Sequence, residues 1–241
     1  ISKEKVELSA SICKTDLTSE LVGEFPELQG LMGGYFSAYQ GFDKDISLAL
    51  TEQYLPIGLN SKVPKKIFSV ALSITDKIDT IVGFFGINEK PTSSKDPLAL
   101  RRTALGIIKI IIENKKKLRL SDLLIYSSSL YEDQGFNITN KNLQNDLNEF
   151  LRDRFKYYLK EKEIRHDIIE AINSSFSLNN LFSSYEKARC LNKIIDNQIG
   201  FDITSTFKRA SNILENEMKN NKIDINETTD PAIFKSDFEK N

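Results

Sequence analysis

Residues 74–112 read ITDKIDTIVGFFGINEKPTSSKDPLALRRTALGIIKIII, and this stretch decides the fold. It holds the end of one apolar helix, a basic loop and the start of a second helix. The first helix begins near Pro64. Ile67, Val70, Ala71, Ile74, Ile78, Ile81, Val82 and Phe85 recur at the i, i+3, i+4, i+7 spacing of a helix that faces a core. Asp76 lies on the opposite stripe, with Ser69, Ser73 and Thr80 near it. Gly83 and Gly86 end the apolar run, and Asn88-Glu89-Lys90-Pro91 resists further helix. The second helix is announced by Asp96, placed to cap free amide groups, and by Pro97, expected at the first helical position. Ala99, Ala104, Leu105, Ile108, Ile111 and Ile112 supply its apolar side, and Lys115, Lys116 and Lys117 suit its negative end.

Working outward, residues 3–22 are expected to form one helix. Val6, Ser9/Ala10, Cys13, Leu17 and Leu21 make its narrow apolar stripe, and Gly23 ends it. Pro26 is expected to start another, with Leu28, Leu31, Met32, Tyr35 and Phe36 available for packing. Gly30, Gly33 and Gly34 each cost about 1 kcal/mol against Ala inside a helix. Together they imply a close helix contact or the approach of a partner backbone. Their spacing is not a phosphate loop, because the GK[ST] ending and a preceding strand are missing. Residues 43–54 read as a short helix, and Pro56, Gly58 and Pro64 bracket a loop. Residues 120–131 read as a helix, and Asp133-Gln134-Gly135-Phe136-Asn137 as a turn region. A domain boundary is placed between about 133 and 142. Asn140 is a candidate cap for a long helix through Lys160, with Leu143, Leu147, Phe150, Leu151, Phe155, Tyr158 and Leu159 on its apolar side. Arg165-His166-Asp167 opens the next helix, and 179–193 and 201–217 are two more. Strand-like alternation is scarce, so the chain is expected to be all-α. The last two dozen residues are poor in apolar groups and are expected to form a loose tail.

The 241 residues allow one large domain or two smaller ones. Forty per cent hydrophobic and 28 per cent charged residues describe a chain able to bury a core. No apolar run reaches the roughly 18 to 20 residues that cross a membrane. The start, Ile1-Ser2-Lys3-Glu4-Lys5, lacks both an initiator Met and a signal-peptide pattern, and the chain reads as a piece of a longer protein. Cys13 and Cys190 are expected to be reduced core residues, and they cannot build a zinc site alone. His166 is the single histidine, which excludes a catalytic triad or a histidine-rich metal centre within this chain. The dipeptide His166-Asp167 therefore reads as a surface or cap element. The net charge of −1 hides an uneven distribution. Between residues 89 and 119, Lys90, Lys95, Arg101, Arg102, Lys109, Lys115, Lys116, Lys117 and Arg119 face only Glu89, Asp96 and Glu113. On the residues alone this is a solvated helical face. A local basic patch of this kind is also enough to bind RNA.

The run Pro91–Arg102, PTSSKDPLALRR, preceded by Asp76-Lys77-Ile78-Asp79-Thr80, resembles the β subunit of bacterial glycyl-tRNA synthetase. Glu27-Leu28-Gln29-Gly30-Leu31-Met32-Gly33 and Lys208-Arg209-Ala210-Ser211-Asn212-Ile213 resemble two further blocks of that family, in the same order across most of the chain. Gly34 stands where a larger residue is common, Ser93 where Gly is common and Phe42 where an acid is common. The resemblance implies a hetero-oligomer of α and β subunits in the cytoplasm, with no membrane contact. There the α subunit holds ATP and Mg²⁺, makes glycyl-adenylate and transfers glycine, while the β subunit recognises and orients tRNA(Gly). It implies no catalytic residue, metal or cofactor in this chain, and no ligase activity of the chain on its own.

The same resemblance assigns residues 1–137 to a helical domain similar to HD-type phosphohydrolases. Ile12–Leu17 looks like the place of the His-Asp pair and Thr75-Asp76-Lys77 like that of the final Asp. Asp16 and Asp76 remain as vestigial acids, free to salt-bridge or cap, whereas Lys14-Thr15 and Gln53 offer no imidazole. Residues 138–241 resemble an incomplete copy of the helical anticodon-binding domain shared with arginyl-tRNA synthetase. Lys95, Arg101, Arg102, Lys208 and Arg209 are the candidate tRNA contacts, since guanidinium and ammonium groups hold phosphates. Tyr157, Tyr158, Phe182 and Tyr185 are possible stacking platforms, with core packing as their simpler role. Two other readings stand beside this one: an HD-type metal-dependent phosphohydrolase, and a helical connector that joins subunits and touches no RNA.

Overall fold

A computed structural model describes residues 2–92 and 94–220, and among them it is all-α, without a strand. The helices are α1 (Lys3–Ile12), α2 (Glu20–Glu24), α3 (Leu31–Tyr39), α4 (Lys44–Glu52), α5 (Ile67–Gly86), α6 (Leu100–Glu113), α7 (Leu120–Asp133), α8 (Leu143–Glu161), α9 (His166–Ser174), α10 (Leu181–Ile194) and α11 (Gln198–Asn220). No helix among the described residues is long and apolar enough to cross a membrane.

The helix expected over 3–22 is broken. Thr15–Thr18 forms a 3-10 turn, because its polar side chains compete for the backbone. The Thr15 hydroxyl donates to Ile12 O at 2.8 Å and the Ser19 hydroxyl to Asp16 O at 2.7 Å, and Ser19 also caps α2. Leu17 and Leu21 consequently leave the apolar stripe and are exposed. Pro26 opens only a 3-10 turn, since Gly30 takes φ 80° and α3 starts after it. Tyr35 and Phe36, expected to pack, face outward. Of the three glycines, Gly30 lies against the Tyr54 ring and Gly33 against the Asp16 side chain, and Gly34 marks the expected close helix contact. A Cβ on Gly34 would lie 1.8 Å from Thr51 Oγ1 and 2.9 Å from Ser47 O, so α3 sits directly on α4.

α5 is the central element, packed against α4, α6, α7 and α8. Val70, Ile74, Ile78, Ile81, Val82 and Phe85 are buried as the periodicity requires, while Ile67 stays exposed. Its polar stripe is buried too: Ser69, Ser73 and Lys77 all lie inside. α6 is similarly enclosed. Leu100, Ala104, Ile107, Ile108, Ile110 and Ile111 are 1% exposed or less, and fully burying each larger aliphatic side chain contributes about 1.5–3 kcal/mol. Pro97 is not at the first helical position. Ala99, in the left-handed conformation with φ 53°, precedes Leu100, and Pro97 belongs to the turn before it. Asp96 still caps, its carboxylate accepting from Leu100 N at 2.8 Å and Arg101 N at 3.0 Å.

α8 opens at Leu143 with Asn142 at its N-cap, and Asn140 caps the turn just before it, its Oδ1 accepting from Asn142 N at 2.9 Å. Asn140 is buried and fastens the turn before α8 to α5, its Nδ2 donating to Phe85 O at 3.0 Å. Phe85 and Phe150 stack at 4.9 Å between ring centroids. The chain up to Asn192 is one compact unit, and the turn at 133–142 lies within it. A second unit begins at Lys193 and carries α11. Phe207, Ile213 and Leu214 are exposed there. Ser93 and the tail from residue 221 onward lie outside the described residues.

Candidate functional site

The chain at Lys14, the turn at 26–29, the loop after α4, α5 and the start of α6 line a cleft of about 630 Å³. Its charged groups are Lys14, Glu27, Asp76, Lys77 and Arg102, Gln29, Tyr54, Thr80 and Thr103 add neutral polar groups, and Pro26, Pro56, Ile57 and Leu98 supply apolar wall. Lys14 and Asp76 form an ion pair, with Lys14 Nζ also 3.3 Å from the Tyr54 hydroxyl and 4.4 Å from its ring centre. Burial alone would lower the pKa of Lys14, but the hydrogen bond and charge of Asp76 outweigh it and raise the value. Burial raises that of Tyr54.

Behind this pair stands Lys77, 5% exposed. Its Nζ donates to Gln53 O at 3.1 Å and to Ser73 Oγ at 2.9 Å, and no carboxylate among the described residues pairs with it. Burial lowers its pKa to about 8. An ammonium group has three donors, so one N–H of Lys77 is left for the cleft. Gln53, fully buried, holds the wall by donating to Cys13 O at 2.7 Å.

The candidate residues separate by role. Arg102 is exposed at the cleft rim and has no hydrogen-bond or ion-pair partner among the described residues. Arg101 is half-buried and its guanidinium donates to Thr92 O, closing the loop before α6. That loop is further tied by Thr92 N to Lys95 O at 2.9 Å and Lys95 N to Thr92 Oγ1 at 3.2 Å, leaving the Lys95 side chain exposed. Lys208 and Arg209 lie exposed on α11, in the second unit. Asp16 is 1% exposed, with Oδ2 accepting from Gly30 N at 2.6 Å and Oδ1 lacking a partner. One carboxylate is thus salt-bridged and the other tied to backbone, a donor set that does not suit a divalent ion. No cluster of three His, Cys, Asp or Glu side chains that could hold a metal occurs among the described residues. His166 opens α9 at the surface, and Cys190 is exposed rather than in the core, because α10 turns only Leu181, Ser184 and Ala188 inward. Tyr158 packs in the core, 6.0 Å from Tyr185, whereas Tyr157 is exposed.

Sequence reasoning missed Lys77, Tyr54 and the ion pair of Lys14. The spacing Ser69-Ser73-Lys77, a polar row at i, i+4, i+8 in an otherwise apolar helix, was a signal for the first. The charge pattern places Lys109 on a solvated face, but it is buried and donates to Leu59 O and Ser61 O.

An all-helical body with a mixed polar and apolar cleft between its helices defines a helical module. The family model of the glycyl-tRNA synthetase beta subunit matches residues 1–174, and the chain belongs to that family. It is 41% identical over 221 residues to the glycine–tRNA ligase beta subunit of Rickettsia canadensis, an alignment covering 91% of this chain and 32% of the relative. With the beta subunit from Rhodospirillum centenum the identity is 38% over 216 residues, covering 90% and 30%. The chain spans about a third of the length of the curated relatives it matches.

Proposed function

We propose that this chain is the tRNA-recognition part of a glycine–tRNA ligase β subunit. It holds tRNA(Gly) for ATP-dependent glycylation by an α subunit, which carries ATP and Mg²⁺, in a cytoplasmic α–β assembly. Family membership supports this reading, and one feature of the site carries it furthest: Arg102 stands unpaired at the cleft rim, beside Lys77 and the loop bearing Lys95. Arg102 and Lys95 make the phosphate contacts, which fix position without reading sequence. Arg101 shapes the loop that presents them. Lys208 and Arg209 provide further contacts from α11.

The test is equilibrium binding of this chain to tRNA(Gly) and to an unrelated tRNA at low and moderate salt. Arg102→Glu with Lys95→Glu should weaken tRNA(Gly) binding at least tenfold. It should also reduce the slope of log K against log salt by about 0.7–0.9 per lost contact. A preference for tRNA(Gly) that persists as salt rises supports recognition within these residues. Absence of RNA binding by the unsubstituted chain overturns it and favours a connector between subunits.

A further inference from the structure

The cleft lies at one end of a longer feature. Arg102, Leu105, Gly106 and Lys109 follow one another along one face of α6, and Pro56, Gly58 and Leu59 lie against that face. Buried Lys109 fastens the loop there through Leu59 O and Ser61 O. Further along, Asn114 Nδ2 donates to Pro64 O at 3.1 Å, and Lys65 Nζ lies 3.9 Å from Glu113 Oε2. The loop therefore runs beside α6 from the cleft to the helix end, over a rise of about 20 Å at about 1.5 Å per residue. At the far end the segment that carries Lys62 and Lys65 is thus tied to the end of α6, from which Lys115, Lys116 and Lys117 follow, and Lys65 faces Glu113. Lys62, Lys115, Lys116 and Lys117 have no ion-pair partner among the described residues.

Lys115 has φ 52°, the left-handed conformation at a helix end that favours glycine. The backbone bonds there are those of a closed helix end, with Asn114 N to Ile110 O at 3.1 Å and Lys116 N to Ile111 O at 2.9 Å. Glu163, just past α8, closes its helix in the same way with φ 57°.

From this juxtaposition we infer that Lys62, Lys115 and Lys117 form a second phosphate-binding patch, which grips the backbone of the same RNA whose other contact is the Arg102 cleft. The inference rests on the RNA-recognition reading and extends it to a surface about 20 Å away. Two anchors on one face select a stretch of structured RNA rather than a lone phosphate. The net charge of −1 for the whole chain keeps the attraction local.

The experiment titrates labelled tRNA(Gly) with the 241-residue chain and its variants over a salt series. Lys62→Glu with Lys117→Glu should weaken binding at least tenfold and reduce the salt slope by about 1.5–2 in total. Lys187→Glu, an exposed charge on α10, is the control and should move binding less than threefold. Lys115→Gly should weaken binding about threefold while its urea midpoint stays equal or rises, a split that a merely helix-capping lysine does not produce. If the double variant matches the control while Arg102→Glu still weakens binding, the second patch is wrong and the cleft stands. If the unsubstituted chain binds no RNA, the recognition reading fails and this inference with it.

Discussion

Lys77 enters the folded state at a cost that depends on pH. Its pKa falls from 10.5 to about 8 on burial. Between those values the unfolded chain binds the extra proton, so this residue's contribution to stability rises with pH from about 8 to 10.5. Lys14, with a raised value, acts in the opposite sense and loses its stabilising pair at high pH. Comparison with Lys77→Met isolates the first effect. At pH 7 the variant escapes a penalty of at most about 3 kcal/mol. It loses hydrogen bonds to Gln53 O and Ser73 Oγ worth about 1 kcal/mol each. A net gain of about 1 kcal/mol in urea unfolding at pH 7, shrinking and reversing by pH 10.5, is expected. A difference that does not change with pH would show that another group titrates. None of this was legible from Lys77 alone, because a lysine's burial is decided by what packs over it.

At the scale of elements, the α3–α4 contact depends on the absence of a side chain. Gly34→Ala forces a Cβ to within 1.8 Å of Thr51 Oγ1 and 2.9 Å of a backbone oxygen. A loss of about 1–3 kcal/mol in urea unfolding is expected. Gly23→Ala, in α2 with nothing within 4 Å, should instead stabilise by about 0.5–1 kcal/mol. Equal effects of the two would refute the close contact. The glycines at 30, 33 and 34 announced close approach in the sequence, and Gly34 is the one that makes this contact. The breaks at Thr15–Thr18 and after Pro26 were not announced, since the apolar spacing runs on through both. There the side-chain hydroxyls and Gly30 outweighed the periodicity. The start of α6 was half legible: Asp96 caps, but it reaches back over a turn that holds Pro97 outside the helix.

For the whole molecule, the unit ending at Asn192 contains the packing of α5 against α4, α6, α7 and α8. A chain ending after Asp196, which preserves α10, should therefore unfold in one cooperative urea transition. A broad transition, or loss of near-ultraviolet circular dichroism, would show that the first unit needs the second. The sequence by itself determined the helical class, most helix positions and the family. Those rest on local signals: a 3.6-residue period, capping side chains, and blocks of residues contiguous in the chain. Only the tertiary structure decided that Lys14 neutralises Asp76 from 62 residues away, that Lys77 and Lys109 are buried, and that the loop carrying Lys62 is tied to the end of α6. Periodicity shows which face of a helix is apolar, but not which neighbour covers the polar one. That depends on how helices distant in sequence dock, through contacts that no single segment encodes.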